Sequence, residues 1–245
     1  MNDSRVPDRS EGKIALVTGA RGGIGQAVVE RLRRDGATVW ATDLGDESSN
    51  DGRVIRRPLD VTDPDAWRKL VAEVEATGPI DQLHLCHGIS QKLVPALELE
   101  LADWQRVQDV NLTSVFLGIR ATAPAMVARG YGRIVAVASI AAKEASKLEH
   151  TYAASKAGVV ALVKSVGKEL AADGVTVNSI APGPVRTPLW DRLTDEVKND
   201  RMSRTPMGRP AEPAEIASLA AWLASPEASY ITAQCLDSSG GRAVY

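Results

Sequence analysis

The sequence predicts an α/β fold: a doubly wound, mostly parallel sheet of about seven strands with helices on both faces. Three observations carry that expectation. Short β-branched runs alternate with helix-periodic segments from residue 13 almost to the end, the pattern of βαβ units joined by right-handed crossovers. A glycine-rich turn directly follows the first of these runs. The 245 residues, 44% of them hydrophobic, suffice for one large core, and α/β chains of this length commonly form a single domain.

The elements follow in order. KIALVT (13–18) is the first strand; after the glycine turn, QAVVERLRRDG has helical periodicity and stops at Gly36. ATVWATD (37–43) is the second strand and RVIRRPLD (53–60) a third, which Arg56 and Arg57 place at an edge. DPDAWRKLVAEVEATG (63–78) is a helix with Asp63 as N-cap and Pro64 at its first position. QLHLCHG (82–88) is a strand, and the segment from about 102 to 129 is helical, with a kink or break at Pro124. GRIVAVAS (132–139) is the most apolar strand and therefore central, covered on both faces. A long helix from about 151 to 173, a strand TVNSIAP (176–182), a helix AEPAEIASLAAWLAS (211–225) and a strand SYITAQCLD (229–237) complete the chain. Residues 1–11 read as a flexible or surface-draped tail, and 12–245 as one domain that no repeat or linker divides.

Twenty-nine basic residues nearly balance thirty-one acidic ones, with no long block of one sign. A nucleic-acid partner would want a basic surface and a membrane surface a basic amphipathic helix, so neither is expected. Apolar runs fall short of the ~18 residues of a membrane span, and the polar start carries no targeting segment. Cys86 and Cys235 have no framework spacing, which reads as reduced thiols in a cytoplasmic protein.

The chemistry concentrates at two places. TGARGGIG (18–25) follows the first strand and opens the first helix. Gly19, Gly23 and Gly25, with Arg21 and Ile24 among them, let the backbone turn sharply toward a ligand, and the helix N-terminus offers unpaired N–H groups to a pyrophosphate. The spacing is G-x-x-x-G-x-G rather than G-x-G-x-x-G, and a tight βα connection can need such glycines with no ligand at all. Asp43 stands twenty residues beyond Gly23, at the end of the second strand, where a carboxylate accepts from a ribose 2′-hydroxyl; its bland reading is a loop cap. That carboxylate would repel a 2′-phosphate, and Leu44 supplies no compensating cation, although Arg21 is close enough to meet such a phosphate. NAD is therefore the favoured cofactor, with NADP not excluded.

The second place is HTYAASKAGVV (150–160), where Tyr152 and Lys156 lie one helical turn apart. A phenol of pKa ~10 is a poor base at neutral pH. An ammonium nearby, with the positive charge of an oxidised nicotinamide, would favour the phenolate and lower that pKa. Ser139 ends the central strand, placed to donate to a substrate oxygen, and Asn111 lies in the preceding long helix.

Together TGARGGIG, Asp60-Val61, Asn111, Ser139, YAASK (152–156) and Pro182-Gly183 with Thr187 resemble the short-chain dehydrogenase/reductase family in its short single-domain branch. They run in family order over residues 13–241, and Ser139 stands thirteen residues before Tyr152, a usual separation there. The resemblance implies a Rossmann fold and hydride transfer between a nicotinamide cofactor and a secondary alcohol or ketone, a small-molecule substrate. It implies that Tyr152 is the general acid/base, Ser139 orients the carbonyl or hydroxyl, Lys156 tunes Tyr152 and binds the nicotinamide ribose, and Asn111 holds a relay water. Asp60 and Val61 would flank the adenine, and the stretch from Cys86 to Gly88 would pass close to the cofactor. Pro182, Gly183, Val185 and Thr187 would line the nicotinamide and its phosphates. Residues 189–208, with Trp190 near their start, would form a mobile substrate lid. Family members commonly assemble as homotetramers.

One departure stands out. Where the family usually has N-N-A-G, this chain has Leu85-Cys86-His87-Gly88, which loses amides that would hydrogen-bond within the sheet. No metal site is expected from His84, Cys86 and His87, since on a strand His87 points away from the other two. His150 reads either as a surface loop residue or as a substrate contact. The carboxyl half is similar to dehydrogenases of sugar acids, in which Lys143, Lys147 and Arg186 would meet a substrate carboxylate. The alternatives are 3-oxoacyl-carrier-protein reduction, which would prefer a cation near Asp43, and a non-catalytic NAD sensor, which need not retain all four reacting residues. Enoyl reduction is disfavoured, because that branch separates its Tyr and Lys by a longer interval.

Overall fold

Eight strands form one sheet in the computed structural model, which describes residues 9–45 and 48–243. They are β1 (Ile14–Thr18), β2 (Thr38–Asp43), β3 (Ser49–Asn50), β4 (Val54–Pro58), β5 (Ile80–Leu85), β6 (Gly132–Val137), β7 (Val175–Pro182) and β8 (Cys235–Ser238). Their order is β3-β4-β2-β1-β5-β6-β7-β8, and all neighbours are parallel except β3 with β4. The chain steps outward from β1 to β2 and β4, then returns to lay β5 on the other side of β1. Open α/β sheets bind ligands at such a reversal, beyond the carboxyl ends of the strands. Thr18, Asp43, Leu85, Val137 and Pro182 close their strands on that one edge.

The helices are α1 (Gly23–Arg34), α2 (Pro64–Glu75), α3 (Leu101–Gln108), α4 (Ser114–Arg129), α5 (His150–Glu169), α6 (Pro188–Asp191), α7 (Asp195–Ser203) and α8 (Pro213–Leu223). Strand alternation divides the core in two. Leu16, Trp40, Leu83 and Ile134 meet Trp67 and Leu70 of α2, Ile119 of α4 and Val159 of α5. Ala15, Val17, Val39, Ala41 and Val135 meet Val28 and Leu32 of α1 and Ile216 and Ala220 of α8. Each large side chain so buried contributes roughly 1.5–3 kcal/mol.

Several expectations are corrected. The sheet has eight strands, because the two-residue β3 pairs antiparallel with β4, so β4 is not the edge. Arg57 is accommodated by an ion pair to Glu73 at 2.7 Å and by stacking on Trp40. Strand β5 ends at Leu85 and leaves Cys86 and His87 in the loop beyond it. The final strand is only Cys235–Ser238, since Ala233 takes a left-handed φ of 59° that interrupts it. Helix α4 runs unbroken through Pro124; the carbonyl that proline frees is that of Arg120, on the exposed face, where solvent can satisfy it. The helical stretch Leu101–Arg129 is also long and apolar enough to cross a membrane by composition, contrary to the reading from apolar runs. Its Val115, Ile119 and Met126 are buried in the core.

The tail is shorter than expected. Ser10 is fully buried, its amide donating to the Asp35 carbonyl at 3.0 Å and its hydroxyl accepting from Gln82 at 3.0 Å, while Arg9 pairs with Glu227 at 3.0 Å. Residues 1–8 lie outside the described residues.

Candidate active site

The glycine turn sits between β1 and α1. Gly22 caps α1 in an extended conformation with no side-chain cap, and no acidic residue occupies the first turn. The first-turn amides therefore keep their donors for an anion. Gly19 adopts φ 65°. A Cβ on Gly25 would overlap the Gly19 carbonyl oxygen and sit 2.7 Å from its carbon, and one on Gly23 would sit 2.7 Å from Thr187 Cγ2. These glycines are thus required by the protein's own packing as well as by any ligand. Gly25→Ala is expected to cost ~3 kcal/mol of stability in urea denaturation, at the upper end for overpacking, and to weaken NADH binding in a fluorescence titration.

Asp43, at the end of β2, accepts from the amides of Arg21 at 3.0 Å and Leu44 at 2.8 Å. The carboxylate is held rigidly at the sheet edge, with lone pairs left for hydroxyl donors; the Leu44 side chain projects into solvent. Asp60 accepts from the amide and hydroxyl of Thr62 at 2.9 and 2.7 Å. Val61 is buried, and its carbonyl accepts the Trp67 indole at 2.9 Å. The donor set of the uncapped helix start and the anchored carboxylate fits a dinucleotide.

The reacting end is a cleft at the carboxyl edge, lined by Ile24, Cys86 to Gly88, Ser139, Tyr152, Lys156, Pro182, Gly183, Val185, Thr187 and Trp190 among others. Tyr152 and Lys156 stand one turn apart on α5. The α5 start is fixed by Gln91, whose carbonyl oxygen accepts the Tyr152 amide at 2.8 Å and whose amide group bonds the Leu148 carbonyl. Ser139 Oγ caps the turn after β6, accepting from the Ala141 amide at 3.1 Å. Lys156 is buried and donates to the Val137 carbonyl at 2.8 Å.

Asn111 lies in a π turn, Asp109–Thr113, between α3 and α4. It accepts from the Ile89 amide at 2.8 Å and donates to the Ile89 carbonyl at 2.9 Å and to Ser155 Oγ at 3.1 Å. Wide turns of this kind often mark functional positions. This one turns an amide onto the loop after β5, and it bridges that loop to α5.

The electrostatics correct one expectation. Burial raises the Tyr152 phenol above its ordinary pKa; the Ser139 hydrogen bond acts against this, Glu149 adds to it and Arg201 opposes it. Lys156 Nζ lies 6.0 Å from the Tyr152 ring centre, committed to Val137, so the expected depression of the phenol by the lysine is absent. Burial brings the Lys156 ammonium down to about 8 and pushes the Cys86 thiol up to about 12.

Two proposed substrate contacts fall outside the cleft. His150 Nε2 lies 3.1 Å from the Val94 carbonyl and pins the α5 start to the preceding loop. Arg186 pairs with Glu212 at 2.8 Å, on the surface. Of the lysines, Lys143 reaches Asp237 at 3.4 Å, and neither it nor Lys147 lines the cleft. Trp190 does, buried in α6 of the lid segment. Sequence reasoning missed Gln91, and it missed three arginines on the cleft: Arg201 of α7, paired with Glu149 at 3.2 Å, Arg204, paired with Asp200, and Arg242, paired with Glu144 at 2.8 Å. Among the described residues no three potential metal ligands converge.

A parallel sheet with its switch point beside an uncapped helix start, and a Ser-Tyr-Lys cleft next to it, define a nicotinamide-dinucleotide oxidoreductase. Residues 19–243 match the family model described as Enoyl-(Acyl carrier protein) reductase. The chain is 36% identical to a 3-oxoacyl-(acyl-carrier-protein) reductase of Thermotoga maritima, over 95% of this chain and 98% of that one. It is 37% identical to a 2-dehydro-3-deoxy-L-rhamnonate dehydrogenase (NAD(+)) of a Sphingomonas species, over 97% and 98%. The crystal structure of gox2181 superposes with a TM-score of 0.91 at 29% identity, covering 98% of both chains. The chain belongs to the short-chain dehydrogenase/reductase family and is an enzyme acting on CH–OH or keto groups with an NAD(P) cofactor.

Proposed function

We propose that the enzyme uses NAD to oxidise one hydroxyl of a small sugar-acid carboxylate, or to reduce the matching ketone. The observation that carries the chemistry is the Tyr152 phenol, which lines the cleft together with Ser139 and stands one turn from Lys156. A bound nicotinamide dinucleotide supplies the hydride acceptor or donor. Tyr152 gives or takes the proton at the substrate oxygen, and Ser139 orients that oxygen by donating a hydrogen bond. Lys156 presents its ammonium to the ribose side, and Asn111 braces the Ile89 backbone against α5. The raised phenol is protonated at neutral pH, so it begins as a donor; as pH rises it becomes the base that oxidation needs.

The substrate class rests on charge. Arg201, Arg204 and Arg242 line the cleft, each held by a carboxylate, Glu149, Asp200 and Glu144, and Lys156 beside them donates only to a backbone carbonyl. A substrate carboxylate entering the cleft would meet these guanidiniums as a further acceptor, in the bidentate geometry arginine favours. The Sphingomonas relative, named for a sugar acid and for NAD(+), supports this reading, and so does the Asp43 carboxylate, which is unfavourable to a 2′-phosphate. The deciding measurement is turnover with NAD and with NADP, on 2-dehydro-3-deoxy-L-rhamnonate in one arm and acetoacetyl-CoA in the other. Turnover of the thioester alone, with NADPH, would replace this reading with the 3-oxoacyl one. Arg201→Gln is expected to lower kcat/KM for the free acid by about 10- to 100-fold and for its methyl ester by less than about threefold, the worth of one charge-assisted contact. The same reading includes a cytoplasmic homotetramer; Phe116, 45% exposed on α4, offers apolar surface for contact between copies.

A further inference from the structure

His87 occupies the position where the family usually carries the alanine of N-N-A-G, and the chemistry described above does not use it. It is buried, with Nδ1 2.6 Å from Thr18 Oγ1 and Nε2 2.6 Å from Ser114 Oγ. The hydrogens can be assigned. Ser114 donates its single hydroxyl hydrogen to the Val110 carbonyl at 2.5 Å, so toward His87 it can only accept, and Nε2 must carry the proton. Burial, with help from the Lys156 charge, brings the imidazolium down to about 3. The ring is therefore neutral, and Nδ1 accepts from the Thr18 hydroxyl, which lies 2.6 Å from it and 3.4 Å from its other acceptor, the His84 carbonyl, a distance at the long limit for a hydroxyl donor.

The donor chain thus runs Thr18 to His87 to Ser114 to the Val110 carbonyl. Its two ends are the two halves of the site. Thr18 is the last residue of β1, directly before the glycine turn, and Val110 lies in the π turn that carries Asn111. The His87 backbone is packed on the turn, since a Cβ at Gly19 would lie 2.7 Å from His87 Cα. On its other side, a Cβ at Gly88 would lie 3.2 Å from Lys156 Nζ and 3.3 Å from Asn111 Oδ1.

We propose that His87 is a positioning residue which, as the neutral Nε2–H tautomer, locks the glycine turn to the π turn and so fixes the spacing between the dinucleotide-facing turn and the Asn111–Lys156 end. The placement of the dinucleotide rests on the nicotinamide reading; the tautomer and the clamp do not. Long-range 1H–15N NMR of the wild-type protein, with resonances assigned through His84→Gln and His150→Gln, should show His87 as an Nε2–H tautomer that does not titrate between about pH 5 and 8. His87→Ala should weaken NADH binding by about tenfold and lower kcat by about 10- to 100-fold, the scale on which small misplacements act. His87→Gln, which can also accept and donate, should restore both to within about threefold, whereas a purely structural role would lower Tm and leave NADH affinity untouched below the transition. If His87→Ala does not fold, Thr18→Val and Ser114→Ala carry the same binding and kcat measurements. An Nδ1–H or titrating imidazole, or wild-type NADH affinity in the clamp variants, would overturn the proposal. A wild-type protein that binds no NADH yet shows the predicted tautomer would overturn the nicotinamide reading and leave the clamp standing.

Discussion

Tyr152→Phe is expected to lower kcat by about 10³-fold, within the usual range for removing a general acid/base, while NADH binding changes by less than about twofold. The asymmetry follows from the geometry. The phenol oxygen faces the cleft beside Ser139, and the ring itself is partly buried against the α5 start, so phenylalanine keeps the packing and loses only the proton. In the wild type, alcohol oxidation should rise with pH from neutrality to about 10 while ketone reduction stays level over that range, because burial holds the phenol above its ordinary pKa and keeps it protonated there. Retained turnover in Tyr152→Phe would sink the acid/base assignment, whatever the cofactor affinity.

Lys156→Met should abolish most activity, by about 10²-fold or more, and should do something less usual to stability. Lysine titrates near 8 when folded and near 10.5 when unfolded. Between those values the unfolded chain holds a proton that the folded chain lacks, so wild-type stability rises with pH across that window. The cost of the buried ammonium is fully present below about pH 8, on the order of 3 kcal/mol. Methionine removes that cost but leaves the Val137 carbonyl unpaired, a penalty of roughly 1–3 kcal/mol. The two nearly cancel at pH 7, so the mutant should be equal to or slightly more stable than wild type there. Wild type should then gain on it by about 3 kcal/mol between pH 8 and 10.5, in urea melts of both proteins. A constant gap across that range would show that the ammonium is not desolvated in the fold.

Much of this was legible beforehand. Three of the candidate reacting residues could be brought together from the sequence because they are local: Tyr152 and Lys156 share a helix face by spacing alone, and Ser139 ends the strand just upstream. The N-cap at Asp63 was legible too, and Asp63 accepts from the Asp65 amide at 2.8 Å. What misled were features whose meaning depends on partners far along the chain. Arg56 and Arg57 looked like an edge because Ser49 and Asn50, which pair with Arg56 and Ile55, have no strand signature. Pro124 looked like a break because nothing in the sequence says which way Arg120 faces. Among the lid residues, the basic side chains of 192–209 are a signal of sorts, but which of them turn inward depends on how α7 docks.

The order of strands and helices, the glycine turn, the spacing of tyrosine and lysine, and the family itself were determined by the sequence alone, because each is a periodicity or a short-range contact. Only the tertiary structure decided three other things. It placed Arg201 and Arg242 in the cleft and kept Arg186 and His150 out of it. It raised the phenol that local reasoning had lowered. It also turned His87, an oddity in a motif, into a bridge between β1 and the π turn. Those outcomes depend on desolvation and on contacts across many residues, and neither is written in the spacing of neighbours.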